Sequence, residues 1–324
     1  MKRALLVPGL MLALAVLPMA TFSIVAIDPA TGDLGVAVAS RYFAVGAVVP
    51  WADANVGAVA TQANVNVGYG PKALDLLRQG LNSQQVMDRL FAEDTFPGKE
   101  ARQIAIVDAK GNIAVFTGDG AQDWKGHRKG ATWSAQGNIL VGPHVVEAMG
   151  KAFDSTNDEL AEKLYAALKA GDEAGGDSRG RQSASILVVR KTGGRNTNND
   201  RYVYINVDDH PEPMRELRRL LDIQMSGNHQ TLMNRALNEN RFADALKSAE
   251  RLARYAPLNP QSHMILGFAA YLAGRQDWAQ AAFKRAHELT LPNQFKQLWD
   301  NLTNRSAYKK VLEDKAFLSQ VTGR

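Results

Sequence analysis

Thr21-Phe-Ser-Ile-Val-Ala-Ile-Asp28, Pro29-Ala-Thr-Gly32 and Asp33-Leu-Gly-Val-Ala-Val-Ala-Ser40 follow one another directly, and their reading decides the fold. The outer two are eight-residue runs rich in valine, isoleucine and alanine, the composition of strands. The middle four place proline early and glycine late, as a tight turn requires. Together they predict an antiparallel hairpin, and the end of its second strand, Ser40-Arg41, returns beside Thr21. In the first strand Phe22, Ile24 and Ala26 alternate with Ser23, Val25 and Ile27. Both faces are largely apolar, which predicts a central strand covered on both sides.

The segment before Thr21 has the layout of a secretory signal. Lys2 and Arg3 are followed by an apolar stretch, Ala4 to Leu17, and by Pro18-Met19-Ala20. Residues 1–20 are too few to span a bilayer unaided and read as removable. A cut after Ala20 makes Thr21 the N-terminus. A threonine with a free α-amine can use that amine as base for its own hydroxyl. An α-amine pKa of about 7.7–8.0 suits the task. Pro18 occupies a position where a small residue is preferred. A competing cut after Ala13-Leu14-Ala15 would leave Val16 to Ala20 ahead of the threonine. On the junction alone, threonine's preference for strands explains Thr21 equally well.

Composition narrows the classes. The chain has 324 residues, 45% of them hydrophobic, enough for one large domain or two ordinary ones. Its formal charge is +5, of which Lys2 and Arg3 carry two, leaving +3 after export. Basic residues are scattered, so a nucleic-acid footprint is not expected. There is no cysteine, which excludes disulfides, thiol catalysis and cysteine metal sites. The six histidines show no metal-binding spacing, and there is no Gly-x-Ser-x-Gly elbow or phosphate-binding loop. No metal or cofactor is expected. No later segment is apolar enough for a membrane helix. An exported protein, periplasmic or secreted, is the reading that results.

Three domains follow: a signal over 1–20, a mixed domain over 21–222 and a helical domain over 223–324. In the mixed domain, strands are predicted at Gly46–Pro50, Val56–Gln62, Gln103–Asp108, Asn112–Thr117, Ser183–Arg190 and Arg201–Val207. Helices are predicted at Pro71–Gln79, at Ser83–Phe91 with Ser83 as cap, at Val145–Phe153 and at Asp158–Ala170. Strands, two helices, strands, two helices and strands in succession indicate an α+β fold, with antiparallel sheets and helices grouped on outer faces. From Glu212 the chain reads as nearly pure helix. There Leu232, Ala236 and Ala245 recur as Leu266, Ala270 and Ala279, each offset by 34. Ala249 and Leu252 correspond to Phe283 and Ala286, and Pro257 and Pro292 close the units. This is the period of tetratricopeptide-type repeats, although Met233 stands where the second repeat has Gly267. Segments Gln294–Asn304 and Ser306–Val321 are expected to close the stack.

Three clusters carry candidate chemistry. Ser40 and Arg41 should lie beside Thr21, where an arginine could hold the amine neutral or bind a carboxylate. In Trp133-Ser-Ala-Gln-Gly-Asn138, read as an exposed loop, Asn138 is a candidate oxyanion donor with Gln136 in support. Gly175-Gly-Asp-Ser-Arg-Gly-Arg-Gln-Ser183 presents Asp177, Arg179 and Arg181 among glycines that let backbone approach a ligand. Gly68-Tyr-Gly-Pro-Lys-Ala73 reads as a helix start rather than a dinucleotide fingerprint. His127 stands alone.

The runs Thr21 to Gly32, Gly35-Val-Ala-Val-Ala-Ser-Arg41, Gly46-Ala-Val-Val-Pro-Trp51, Gln136-Gly-Asn138 and Gly175 to Ala184 resemble the family called domain of unknown function 1028, over about residues 21 to 208. The resemblance implies a four-layer αββα sandwich of the N-terminal nucleophile hydrolase type and, by analogy, hydrolysis of linear amide or peptide bonds. On that reading Thr21 is the nucleophile and Asn138 its oxyanion partner, while Ser40, Arg41, Gln136, Asp177, Arg179 and Arg181 support substrate or amine. The substrate expected is a small amide or peptide, its carboxylate suggested by the arginines. The alternative is a non-catalytic exported scaffold acting through the helical repeats, with Tyr255, Tyr271 and Trp278 as candidate contacts. A protein partner on those repeats and a homo-oligomer both stay open. The intact mass of the exported protein tests the first step: a chain beginning at Thr21 is expected, and any other start removes the catalytic amine.

Overall fold

The computed structural model describes residues 20–121, 123–194, 198–304 and 306–322. The expected signal, Pro18 included, lies outside the described residues except for Ala20. The opening hairpin forms as its sequence dictates. Strands β1 (Thr21–Asp28) and β2 (Asp33–Ser40) pair antiparallel with Thr21 opposite Ser40. The turn is tied by Gly32 N–H donating to the Asp28 carbonyl at 2.8 Å and by Ala30 N–H donating to the Asp28 carboxylate at 2.9 Å. Gly32 sits at φ +75°, where a glycine costs least.

The remaining strands are β3 (Pro50–Asp53), β4 (Gly57–Ala63), β5 (Arg102–Asp108), β6 (Ile113–Thr117), β7 (Trp124–Lys129), β8 (Trp133–Leu140), β9 (Ser183–Val189) and β10 (Arg201–Val207). Among the described residues they build two antiparallel sheets, ordered β10-β9-β2-β1-β8-β7 and β3-β4-β5-β6. Helices α1 (Tyr69–Arg78) and α2 (Ser83–Glu93) cover the outer face of the smaller sheet. Helices α3 (His144–Ser155) and α4 (Leu160–Glu173) cover the outer face of the larger. The first strand is central, and one of its faces looks at helices and the other at the second sheet. Phe22, Ile24 and Ala26 pack under α3 and α4, while Val25 and Ile27 meet Ala58, Ala60, Ala105 and Val107 between the sheets.

Three local readings are corrected. Gly46–Pro50 is not a strand: Val45–Ala47 is a 3₁₀ turn entered through Ala44 at φ 52°, and β3 begins only at Pro50. Val49 is buried and Val48 half-buried without belonging to a strand, and the turn lies tight against β10, since a Cβ on Gly46 would fall 1.9 Å from Asn206 Oδ1. Helix α2 is capped by Asn82, not Ser83: the Asn82 side chain accepts from Gln85 N–H, while Ser83 is buried and donates to the Asn112 carbonyl. Trp133–Leu140 is not a loop but a buried strand paired with β1. Its outward positions, Trp133 and Ala135, are apolar and its inward ones are polar, so its alternation runs opposite to that of an ordinary half-buried strand.

The C-terminal region is helical. Helix α5 (Pro213–Asn238) runs unbroken through residue 222. Its Met214, Leu217, Leu221 and Met225 belong to the core under the larger sheet, whereas its Met233, Ala236 and Leu237 belong to the helical core. One rigid element is therefore shared by both regions. Helices α6 (Phe242–Tyr255), α7 (Pro260–Leu272) and α8 (Gln276–Glu288) follow, each packed on its predecessor. The alanines of the 34-residue repeat, Ala236, Ala245, Ala270 and Ala279, are all buried where helices cross. The difference between Met233 and Gly267 is matched by an opposite one. A Cβ on Gly267 would lie 2.8 Å from the Phe283 ring, and 34 residues earlier the corresponding positions hold Met233 and the smaller Ala249, both buried in the helical core. Small and large have exchanged places, the kind of swap that keeps core volume. Helices α9 (Pro292–Thr303), α10 (Lys309–Glu313) and α11 (Lys315–Thr322) close this core with Phe295, Leu302, Val311 and Phe317.

A charged cluster fastens the helical region to the sheets. Ahead of α4, the Glu159 carboxylate accepts from Tyr202 OH and Arg251, each at 2.7 Å, and lies 3.0 Å from His229 Nε2. Asp158 accepts from Arg251 at 2.8 Å and Arg254 at 2.6 Å. Burial by itself raises the Glu159 carboxyl, but the His229 imidazole, the Tyr202 hydroxyl and the Arg251 charge outweigh it and hold the group at about 2. The unfolded value is near 4.3, so this contribution is complete above about pH 5 and vanishes as pH falls toward 2. Glu159→Gln is expected to cost on the order of 3 kcal/mol at neutral pH. In urea unfolding, the gap between wild type and variant should close on acidification from pH 6 to pH 2.5.

Candidate active site

Strand alternation concentrates polar groups at one end of the layer between the sheets. On β1 the positions facing this layer are Thr21, Ser23, Val25 and Ile27, so the strand enters polar and continues apolar. The same change occurs on β2, where Leu34, Val36 and Val38 are followed by Ser40, and on β4, where Ala58 and Ala60 are followed by Gln62. Gln103 opens β5 on the same face, and Ser134, Gln136 and Asn138 supply β8. These side chains are all essentially inaccessible. A polar group without water must be paired within the protein, and here the pairing can be traced.

Thr21 sits at the head of this layer. Its Oγ1 is 3.1 Å from Ser40 Oγ. Ser40 Oγ donates its proton to the carbonyl of Ala20, the residue just before Thr21, and Arg179 Nη2 donates to the same carbonyl at 3.0 Å. Ser40 has a single proton and has committed it, so the Thr21 hydroxyl is the donor in the Thr21–Ser40 bond. The carbonyl of Thr21 itself accepts from Gln62 Nε2 at 3.3 Å and, over a longer 3.5 Å, from Asn138 Nδ2.

Behind the threonine a chain of carboxamides locks this arrangement. Gln103 Oε1 accepts from Gln62 Nε2 at 2.7 Å and from Asn138 Nδ2 at 3.0 Å. Gln103 Nε2 donates to the Gly137 carbonyl and to Thr117 Oγ1, both at 2.9 Å. Ser23 Oγ donates to Gln62 Oε1 and accepts from Gln136 Nε2, each at 2.6 Å, and Gln136 Oε1 accepts from Ser134 Oγ at 3.0 Å. At the far end Thr117 Oγ1 meets His127 Nδ1 at 3.0 Å. Burial first, then Lys129 and Arg128, lower the His127 pKa, which favours the neutral ring.

The Gly175–Ser183 loop closes the head of the site. Asp177 is buried, pairs in a short bridge with Leu140, and accepts from Arg41 N–H at 2.7 Å and from Arg179 Nη2 at 3.0 Å. Gly176 and Gly180 take φ of +52° and +111°, which lets the loop fold back on β8.

Residues 21–217 match the model of a family of unknown function, DUF1028. The chain belongs to this family. Its matched part begins at the buried threonine and ends within α5. A crystal structure of a protein from Silicibacter pomeroyi, described as belonging to the DUF1028 family model, is 35% identical to this chain. That likeness covers 62% of this chain and 84% of the other, with a TM-score of 0.57. No curated protein matches the chain.

Within this DUF1028 region, Thr21, Ser40, Gln136, Asn138, Asp177 and Arg179 come together, joined by the bonds given above. Arg41 touches the cluster through its backbone, while its exposed guanidinium donates to the Arg179 carbonyl at 2.7 Å. Arg181 turns away to Asp172 at the end of α4, at 2.6 Å. Gln62, Gln103 and Ser23 were not anticipated from sequence. Their signal was a polar residue at a sheet-facing position near one end of an otherwise apolar strand, and it needed the strand pairing to be recognised. Gln103→Leu removes the acceptor shared by Gln62 and Asn138. It is expected to lower stability by about 2–4 kcal/mol, the cost of leaving two buried donors unpaired, measured by urea unfolding.

Proposed function

We propose that this protein is an exported N-terminal nucleophile hydrolase that cleaves amide or peptide bonds, and that Thr21 is its nucleophile. The observation that carries the reading is the position of Thr21. It heads a central strand, is fully buried, and has its hydroxyl and both flanking carbonyls held by side chains from four other segments. A threonine present only to fill a strand would not need this support. The two facing sheets with helix pairs outside have the layer order of the αββα sandwich, and the family match starting at Thr21 agrees with removal of residues 1–20.

While residue 20 is attached, the Thr21 nitrogen is an amide and no base. Removal of residues 1–20 frees the amine, which then takes the hydroxyl proton as Oγ attacks a substrate carbonyl. The same amine returns the proton to the leaving nitrogen, and water releases the ester. Gln62, Gln103 and Asn138 hold the threonine at a fixed angle, which lowers the cost of reaching the reactive geometry. Arg41, exposed at the edge of the cluster, gives a substrate carboxylate a partner. No metal or cofactor enters these steps. The helical region reads as tetratricopeptide-like, since its repeat positions fall on its buried seams; a partner protein on its outer face is compatible with that reading. In the same spirit Tyr255 is buried and stacks on His229, and Tyr271 donates to Asp314, whereas Trp278 is partly exposed under Arg275.

With mature protein beginning at Thr21, screened against a library of N-acyl amino acids and short peptides, Thr21→Ala is expected to abolish hydrolysis. The variant should stay folded, with an unfolding free energy within about 3 kcal/mol of wild type. Thr21→Ser should retain measurable turnover. Full activity in Thr21→Ala would overturn the proposal.

A further inference from the structure

We propose that the Ser40 hydroxyl and the Arg179 guanidinium are the donors that receive the substrate's acyl oxygen, and that the Ala20 carbonyl fills their place in the uncleaved chain. This rests on the reading of Thr21 as nucleophile and goes beyond it, because it assigns the oxyanion site. Two observations carry it. First, the donors converge on a carbonyl immediately beside the nucleophile. Ser40 Oγ and Arg179 Nη2 both donate to Ala20 O, and Thr21 Oγ1 lies 3.1 Å from Ser40 Oγ. Four covalent bonds separate Thr21 Oγ from the Ala20 carbonyl carbon, which keeps the two within a few ångströms, and attack proceeds from roughly 3–3.5 Å. When residue 20 departs, an acyl carbonyl entering at the same range meets the same two donors.

Second, the other polar groups of the cluster are already committed. Asn138 Nδ2 has two hydrogens and gives one to Thr21 O and one to Gln103 Oε1. Gln62 Nε2 does the same with Thr21 O and Gln103 Oε1. These groups hold the nucleophile's own backbone. Ser40 and Arg179 are the side chains directed to the opposite side of the threonine. Arg179 is braced for this by the buried Asp177, to which it donates from Nε at 3.2 Å and Nη2 at 3.0 Å. A charged donor in a partly dry site stabilises a developing oxyanion more than it stabilises a ground-state carbonyl.

The test uses mature protein beginning at Thr21 and N-acetyl-L-alanine 4-nitrophenyl ester, an activated acyl donor. Thr21 Oγ forms a bond to the acyl carbon, the bond to 4-nitrophenolate breaks, and the hydroxyl proton passes to the α-amine. Release of nitrophenolate is followed by absorbance and the acyl adduct is located by mass. Wild type should be acylated at Thr21. Ser40→Ala and Arg179→Met should each lower the acylation rate at saturating ester roughly 100-fold, with half-saturation little changed, while Arg179→Lys recovers part of the loss. Near-UV circular dichroism identifies folded variants, and the two substitutions lie in different segments, β2 and the loop before β9, so one folded variant suffices. If wild type is acylated at Thr21 and the folded variants keep its rate, the assignment of these donors is overturned while the nucleophile stands. If wild type forms no adduct at Thr21, the nucleophile reading fails and this assignment falls with it.

Discussion

A carboxamide buried between two sheets has no water to satisfy it, and much of this structure follows from that. Gln103 must give and receive all its hydrogen bonds inside the protein, and it does so by joining β4, β5, β6 and β8. The network tolerates no slip. Shifting β1 by one residue would turn Thr21 and Ser23 toward the helices and bring Phe22 and Ile24 into the carboxamides. The apolar half of the same layer favours the same register, with Val25, Ile27, Val36 and Val38 against Ala58, Ala60, Ala105 and Val107. The interactions that make the sheets pair in one way are thus the ones that fix the threonine, and positioning and fold specificity share one cause.

The helical region is joined to this framework more firmly than a linker would allow. Helix α5 contributes to both cores along a single uninterrupted length. Asp158 and Glu159, from the turn before α4, are met by the His229 imidazole of α5, by two arginines of α6 and by a hydroxyl from β10. Half-buried charges are tolerated here because each carboxylate has several donors. Inside the helical region, packing is set by volume: Gly267 makes room for Phe283, and 34 residues earlier the large and small residues stand in the reverse order, as Met233 and Ala249.

Where the sequence was legible, a local rule had no competitor. The first hairpin, the β5–β6 hairpin, the paired helices and the 34-residue period were all readable, because turn chemistry and periodicity act over short distances. Where it was not, a tertiary contact overrode the local pattern. Trp133–Leu140 has polar residues on its inward face, so it resembled a loop until β1 was set beside it. Trp124–Lys129 is a half-buried edge strand, and its mixed composition gave no alternation to follow. The valines of Gly46–Pro50 suggested a strand, yet a left-handed Ala44 and the tight approach of Gly46 to Asn206 make a turn. Ser40 was placed beside Thr21 by hairpin logic alone, whereas Gln62 and Gln103 come from a second sheet that no local rule brings near.

The sequence by itself determined most of the strands and helices, the central place of Thr21 in a hairpin with Ser40, and the start of a helical region after residue 212. These depend on side-chain period and turn residues, which are properties of neighbouring positions. Only the tertiary structure decided which face of each strand is dry, that Asn138 lies in a strand opposite Thr21, and that Arg179 reaches the Ala20 carbonyl while Arg181 does not. Those depend on the stacking of two sheets and the return of a loop some 160 residues away, and hydrogen bonds between such distant groups leave no periodic trace in the chain.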